Sequence, residues 1–335
     1  MKKSLIALAI AALGGAAYAQ SSVTLYGVAD VWVGSEKAGD PRSGPVIRKT
    51  QMGSGGYNGS RFGFRGTEDL GGGLKAGFVL EQGFNIDSGA AAATGLQFSR
   101  QAYLGLDGGF GTVRLGRQYS AYDELRGATN NAYDSAFAPT ARTFAGGVDD
   151  YKNRIDNQLY YATPVMNGFR AAIGYGFGED KTPTASAKDN TSLHVRYAQG
   201  PVLVGVAYQK QEVSNTVDRT YTLLAGSYDF GVAKLTAGFN RAKQDQAGKD
   251  NEYQFGVSVP VAANAQVAFG YAKAKYKNSA GVKTGDGSGF GITAYYDLSK
   301  RTRLYAGYRD TKRENAVGVK TDETKLFAVG VRHNF

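Results

Sequence analysis

Sixteen segments of this chain alternate apolar and polar side chains and are separated by clusters of turn-forming residues. Successive side chains of a strand leave opposite faces, so the rhythm predicts strands with one apolar and one polar face. The first five segments are Val23 to Val33, Ser60 to Glu68, Leu74 to Ile86, Gln97 to Leu106 and Thr112 to Gln118, and eleven more run from Arg154 to Phe335. A long polar stretch without alternation, Tyr119 to Lys152, interrupts them.

An apolar face needs a cover. A soluble sandwich supplies a second sheet, whereas a membrane barrel turns that face to lipid and its polar face to water. The pentapeptide Arg61-Phe62-Gly63-Phe64-Arg65 poses the choice sharply, with both arginines on one face and both phenylalanines on the other. A charge facing lipid at mid-membrane costs ~2–4 kcal/mol, so in a barrel the arginines point to the lumen.

Several features favour the barrel. Past the amino-terminal residues no run of eighteen apolar residues exists, so no helix is available to cross a membrane. A mean hydropathy of −0.34 is equally expected of strands that are apolar only at alternate positions. The chain has 47 Gly, 22 Tyr and 17 Phe but no Cys, which fits an exported protein of many strands and turns and excludes disulfides and thiolate chemistry. Connections after even-numbered segments are short and bear Gly, Pro or Asp, while those after odd-numbered segments tend to be longer and more polar. Closure would also remove the exposed edges of so many strands. The expected fold is all-β: a transmembrane antiparallel sixteen-stranded β-barrel.

At the amino terminus, Lys2-Lys3 precede an apolar run from Leu5 to Leu13 and the small-residue site Ala17-Tyr18-Ala19. This reads as a secretory signal peptide over residues 1–19, leaving 20–335 as one barrel domain. Its removal leaves 335 − 19 = 316 residues and lowers the formal charge from +10 to +8.

The segments Val23-Thr24-Leu25-Tyr26-Gly27, SRFGFRGTEDLGGGLKAGFVLE from Ser60 to Glu81, SRQAYLGLDGGFGTVRLGRQY from Ser99 to Tyr119, NQLYYATPVMNGF from Asn157 to Phe169 and the terminal VGVRHNF resemble the general porins of Gram-negative bacteria, most of all the betaproteobacterial ones. The resemblance implies a homotrimer in the outer membrane with one pore per subunit and the third extracellular loop folded inward. It also implies that Phe335 is a signal read by the outer-membrane assembly machinery. Arg61, Arg65 and Arg100, all inward by phase, match the basic wall of the family's pore constriction. The Pro-Glu-Phe-Gly type of loop tip seen in enterobacterial members is absent, and the early acidic pair Asp123 and Glu124 occupies the corresponding place.

By phase alone, Lys75, Arg170, Arg196, Arg303, Arg309 and Arg332 are further lumen cations, while Arg114 and Arg117 conflict in parity unless a bulge separates them. Of the two histidines, His194 is expected in the lumen and His333 in the interfacial girdle. No G-x-S-x-G elbow, no metal-ligand spacing and no cofactor motif points to an enzyme, so no catalytic residue is assigned. The cations are spread along the chain and do not indicate nucleic acid. Rim lysines Lys273, Lys275 and Lys277 suit lipopolysaccharide phosphates, and the small outward residues Gly27, Ala29 and Ala76 suit a subunit contact. The expected function is passive diffusion of small hydrophilic solutes with anions preferred. The alternatives are a channel specific for an organic acid or phosphate, and a barrel acting mainly as an adhesin or structural envelope protein.

Overall fold

The computed structural model describes residues 22–130 and 135–335; the expected signal peptide lies outside them. Seventeen strand segments, β1 (Ser22–Gly39), β2 (Ile47–Ser54), β3 (Arg61–Gly71), β4 (Leu74–Gly83), β5 (Gln101–Gly108), β6 (Gly111–Tyr119), β7 (Arg154–Ala162), β8 (Phe169–Gly176), β9 (Asn190–Gln199), β10 (Val202–Ser214), β11 (Val217–Asp229), β12 (Lys234–Gln244), β13 (Gly248–Ala262), β14 (Ala265–Asn278), β15 (Lys283–Asp297), β16 (Thr302–Asn315) and β17 (Lys320–Asn334), form one antiparallel sheet. It closes where β1 pairs with β17. Strands β2 and β3 pair in succession with the same side of β1, through Val31–Ala38 and Ser22–Val28, so together they are one barrel strand with a break at 55–60. The barrel therefore has sixteen strands.

Asp30 holds that break. Its buried carboxylate accepts the backbone N–H groups of Gly56, Tyr57 and Asn58 at 2.9, 3.0 and 2.7 Å and the Tyr305 hydroxyl at 2.6 Å. Closure at the carboxy terminus is equally local. The Gly27 N–H donates to the Phe335 carbonyl at 2.9 Å and the Phe335 N–H to the Gly27 carbonyl at 3.1 Å.

The two faces separate as the alternation predicts. On β1, Leu25 is 56% exposed and points out, whereas Asp30 is fully buried on the other face. Leu104, Leu115, Leu159, Ile173, Leu224 and Ile292 continue the exposed apolar band, which the closed sheet turns outward. Gln158, Gln209, Asn240 and Glu252 are buried on the inward face.

The expected contrast in loop length holds for the first half of the barrel and fails in the second. Residues 215–216, 245–247, 279–282 and 316–319 are short links, because the strands on either side continue to pair well past the apolar segments. Strands of fifteen residues such as β13 and β15 exceed the ~9–11 needed to span a bilayer at a tilt, so these hairpins stand above the membrane. At the starts of β13 and β15, residues 248–251 and 283–287 are polar or glycine, which removes the alternation that marks a lipid-facing strand.

Between β6 and β7 the chain forms helix α1 (Ala121–Thr129) and the short α2 (Thr140–Thr143). This segment lies against the inward face. Tyr122 donates to Asn240 Oδ1 at 2.7 Å, and the Ala145 N–H donates to Glu252 Oε1 at 2.8 Å. The Gly147 and Val148 N–H groups both donate to Asp250 Oδ2 at 2.9 Å, and Tyr276 and Tyr221 hydroxyls donate to the Thr143 and Asp149 carbonyls at 2.6 and 2.8 Å. Glycines admit its apolar anchors: a Cβ on Gly205 would stand 2.8 Å from Leu125 Cδ1, and one on Gly307 would stand 2.5 Å from the Phe137 ring.

Candidate pore constriction

Alternation places Arg61 on β3 and Glu81 on β4 on the inward face, whereas Arg100, of opposite parity to the inward Gln101 and Tyr103 of β5, reaches Glu81 because it lies just before that strand begins. Arg100 Nε donates to Glu81 Oε1 at 2.7 Å, Arg61 Nε lies 3.4 Å from Glu81 Oε2, and the Tyr26 hydroxyl donates to the same oxygen at 3.0 Å. Arg100 Nη2 also donates to the Tyr119 hydroxyl at 3.0 Å, and Arg154 Nη2 donates to that hydroxyl from the other side. The Arg154 guanidinium stacks on the Tyr119 ring, 4.3 Å from its centroid. Three guanidinium groups are thus fixed in place by neutral and acidic partners.

Opposite them stands the first turn of α1. Ser120 caps the helix, its Oγ accepting the Asp123 N–H at 3.1 Å, and the acids Asp123 and Glu124 sit where the helix dipole favours negative charge. Glu124 Oε1 accepts the Tyr160 hydroxyl at 2.8 Å, and Asp123 accepts the Tyr151 hydroxyl. Burial pushes the Tyr151 hydroxyl well above its ordinary pKa, keeping it a proton donor to Asp123. Arg61, Arg100, Arg154 and Tyr119 together with Asp123 and Glu124 line one opening of about 490 Å³.

Other sequence-expected residues fall elsewhere. Arg65 does not line this opening; its guanidinium lies 5.1 Å from the Tyr26 ring centroid. Lys75 sits at the turn end of β4, in register with Asp69 and Asp107. Arg170 and Arg196 are register partners on β8 and β9. Arg303 is bound to Asp297 at 2.6 Å, Arg332 donates to Asn58 Oδ1 at 2.7 Å, and Arg309 to the Ala136 carbonyl. A register shift at Gly116–Gln118 resolves the parity conflict: Arg114 lies over the Tyr103 ring, and Arg117 pairs with Asp156 at 2.6 Å.

His194 is buried beneath α1 with Nδ1 2.8 Å from the Ala121 carbonyl, and neighbouring Ser192 accepts the Ala121 N–H, so both hold the helix. His333 Nδ1 lies 2.9 Å from Thr302 Oγ1 at the strand ends. Gly27 is covered by its own chain, since a Cβ there would stand 2.3 Å from Phe335 Cζ. It is therefore not free for a subunit contact. Sequence reasoning missed Glu81, Tyr119 and Arg154. Glu81 shares the parity of Lys75 and could have been placed inward; the other two sit at strand ends, where phase carries little information.

A family model described as Gram-negative porin matches residues 5–316. The chain belongs to the Gram-negative porin family. It is 40% identical over 327 residues to outer membrane porin protein 32 of Delftia acidovorans, with 91% of this chain and 88% of that protein covered. Major outer membrane protein P.IB of Neisseria gonorrhoeae is 30% identical over 334 residues, covering 90% of this chain and 91% of its own. The solved structure of the anion-selective porin from Comamonas acidovorans matches with a TM-score of 0.81 at 31% identity, covering 94% of this chain and 100% of that one. The porin is accordingly an outer-membrane protein, and its apolar band is the surface that meets lipid.

Proposed function

We propose that this porin is a passive diffusion channel for small hydrophilic solutes and ions that prefers anions. The observation that carries the reading is the opening between the fixed guanidinium groups of Arg61, Arg100 and Arg154 and the acidic first turn of α1. Charges fixed on facing walls create a transverse field that orients dipolar solutes and separates the paths of anions and cations. Three cations on the wall, offset by the single carboxylate of Glu81, leave it positive. Arg65 acts in this reading as a cation past the waist, and Asp123 and Glu124 as the facing acids. The similarity to an anion-selective porin supports the same direction.

Partners follow from the surface. The chain assembles as a homotrimer through the small and apolar outer face of the early strands, where Ala76 lines a shallow groove with Phe78 and Leu104. Phe335 is read by the outer-membrane assembly machinery, and the outward Lys273 and Lys275 meet lipopolysaccharide phosphates. The decisive measurement is the reversal potential of the reconstituted protein in a planar bilayer under a KCl gradient. An anion-selective potential that moves toward potassium in R61Q/R100Q is expected; a cation-selective potential sinks the reading.

A further inference from the structure

The inward arginines divide by what they touch. Arg61 and Arg100 share Glu81, Arg303 pairs with Asp297, and Arg309 lies 3.6 Å from Glu36. Arg114, Arg170 and Arg196 have no such partner: among the described residues none of the three makes an ion pair or a side-chain hydrogen bond. Arg114 lies 4.9 Å from the Tyr103 ring centroid and 5.7 Å from that of Tyr160.

Placement makes this informative. Arg170 follows the start of β8 by one residue, Arg196 precedes the end of β9 by three, and Arg114 lies three residues into β6. All three are therefore near the short-turn rim. Helix α1 roofs Arg170 and Arg196, with Ala121 against His194 on the next rung toward the outside and Leu125 against Gly205 on the rung of Arg196 itself. The Tyr160 hydroxyl is committed to Glu124, so the acid of α1 is tied above the arginines.

Arg170 and Arg196 face each other directly across the β8–β9 ladder. Side chains in that relation start ~4.5–5.5 Å apart, and like charges so placed are destabilising. The Nε of Arg170 is buried with no acceptor. Two planar donor forks on one rung, lacking a carboxylate, match the paired oxygens of a dianion.

We propose that Arg170 and Arg196 form a second station, on the periplasmic side of α1 and with Arg114 on the wall above them at the level of Ser192, that transiently holds a small multivalent anion, a dicarboxylate or phosphate, after it clears the waist. This rests on the reading of the pore as anion-preferring. The station is shallow by design of the site: a permeating ion must be able to leave as well as enter.

The test adds succinate or inorganic phosphate to the full-length porin carrying chloride current in a planar bilayer. One or both anions should reduce the current saturably, and R170Q/R196Q should raise the half-blocking concentration about tenfold, equivalent to about 1.4 kcal/mol. The KCl reversal potential should shift far less in R170Q/R196Q than in R61Q/R100Q. Block by succinate alone assigns a dicarboxylate, block by phosphate alone assigns phosphate, and block by both assigns the shared dianion chemistry. No block by either, or the same block in R170Q/R196Q, overturns the station. The single variant R196Q removes half of the like-charge pair and changes the block in the same direction; it serves where the double variant fails to reach the membrane. An anion-selective pore without saturable block defeats the station alone, whereas a cation-selective unmutated pore defeats the reading beneath it.

Discussion

Glu81 stands between Arg61 and Arg100, with Oε1 2.7 Å from Arg100 Nε and Oε2 3.4 Å from Arg61 Nε, and its side chain is only 5% exposed. One carboxylate thus orients two guanidinium groups and cancels part of their charge. Its own cost of burial is offset because both oxygens have donors.

Replacing Glu81 by Gln keeps an acceptor for Arg100 and removes the negative charge. The wall becomes more positive, so the KCl reversal potential should move further toward chloride. A shift toward potassium would mean that Glu81 acts only by holding the arginines in place.

Selectivity built on fixed wall charges should weaken as salt rises. The screening length falls from ~10 Å at 0.1 M to ~3 Å at 1 M, below the width of an opening that passes hydrated solutes. Removing the facing acids in D123N/E124Q should strengthen anion preference at low salt and leave it nearly unchanged at 1 M. Reversal potentials taken at both concentrations check this; a salt-independent difference would point to pore size instead of charge.

Phe137 is fully buried, and its ring fills the space that Gly307 leaves on β16. Truncating a buried aromatic to Ala typically costs ~3–5 kcal/mol. In F137A that loss falls on the anchoring of the segment between β6 and β7, so single-channel current should become larger and noisier while the barrel itself persists. Conductance traces together with heat-modifiable migration on a gel distinguish the two.

Phe335 has two separable contributions. F335A keeps the two backbone hydrogen bonds to Gly27 and loses the ring that covers it, whereas deletion of the residue loses both. Folded protein recovered from outer membranes should fall in both variants if the ring is what the assembly machinery reads. Normal recovery of F335A with poor recovery of the deletion would assign the effect to barrel closure.

Much of the barrel is legible in the order of residues because a lipid-facing strand must alternate. Arg61-Phe62-Gly63-Phe64-Arg65 could be oriented by that rule, and so could Asp30 opposite Leu25. The same rule fails where its cause is absent. Periodicity carries β12 and β14 through Lys243 and Lys275, but the first residues of β13 and β15, 248–251 and 283–287, are polar or glycine and look like loop. The break at 55–60 hides β2 for another reason, since Asp30 and Tyr305, distant in sequence, hold it.

Local chemistry in the chain by itself determined the number of barrel strands and the face that Arg61 and Arg65 share, but phase does not place Arg100, which lies outside β5 with a parity opposite to the inward Gln101 and Tyr103. Periodicity reports a direction, not a neighbour. Only the tertiary structure decided that Arg100 meets Glu81 and Tyr119, that Arg65 stands apart, that Arg170 and Arg196 share a rung without an acid, and that the segment carrying Asp123 and Glu124 faces the arginines. Those relations depend on strand register and on anchors more than a hundred residues apart, such as Tyr122 with Asn240 and Ala145 with Glu252.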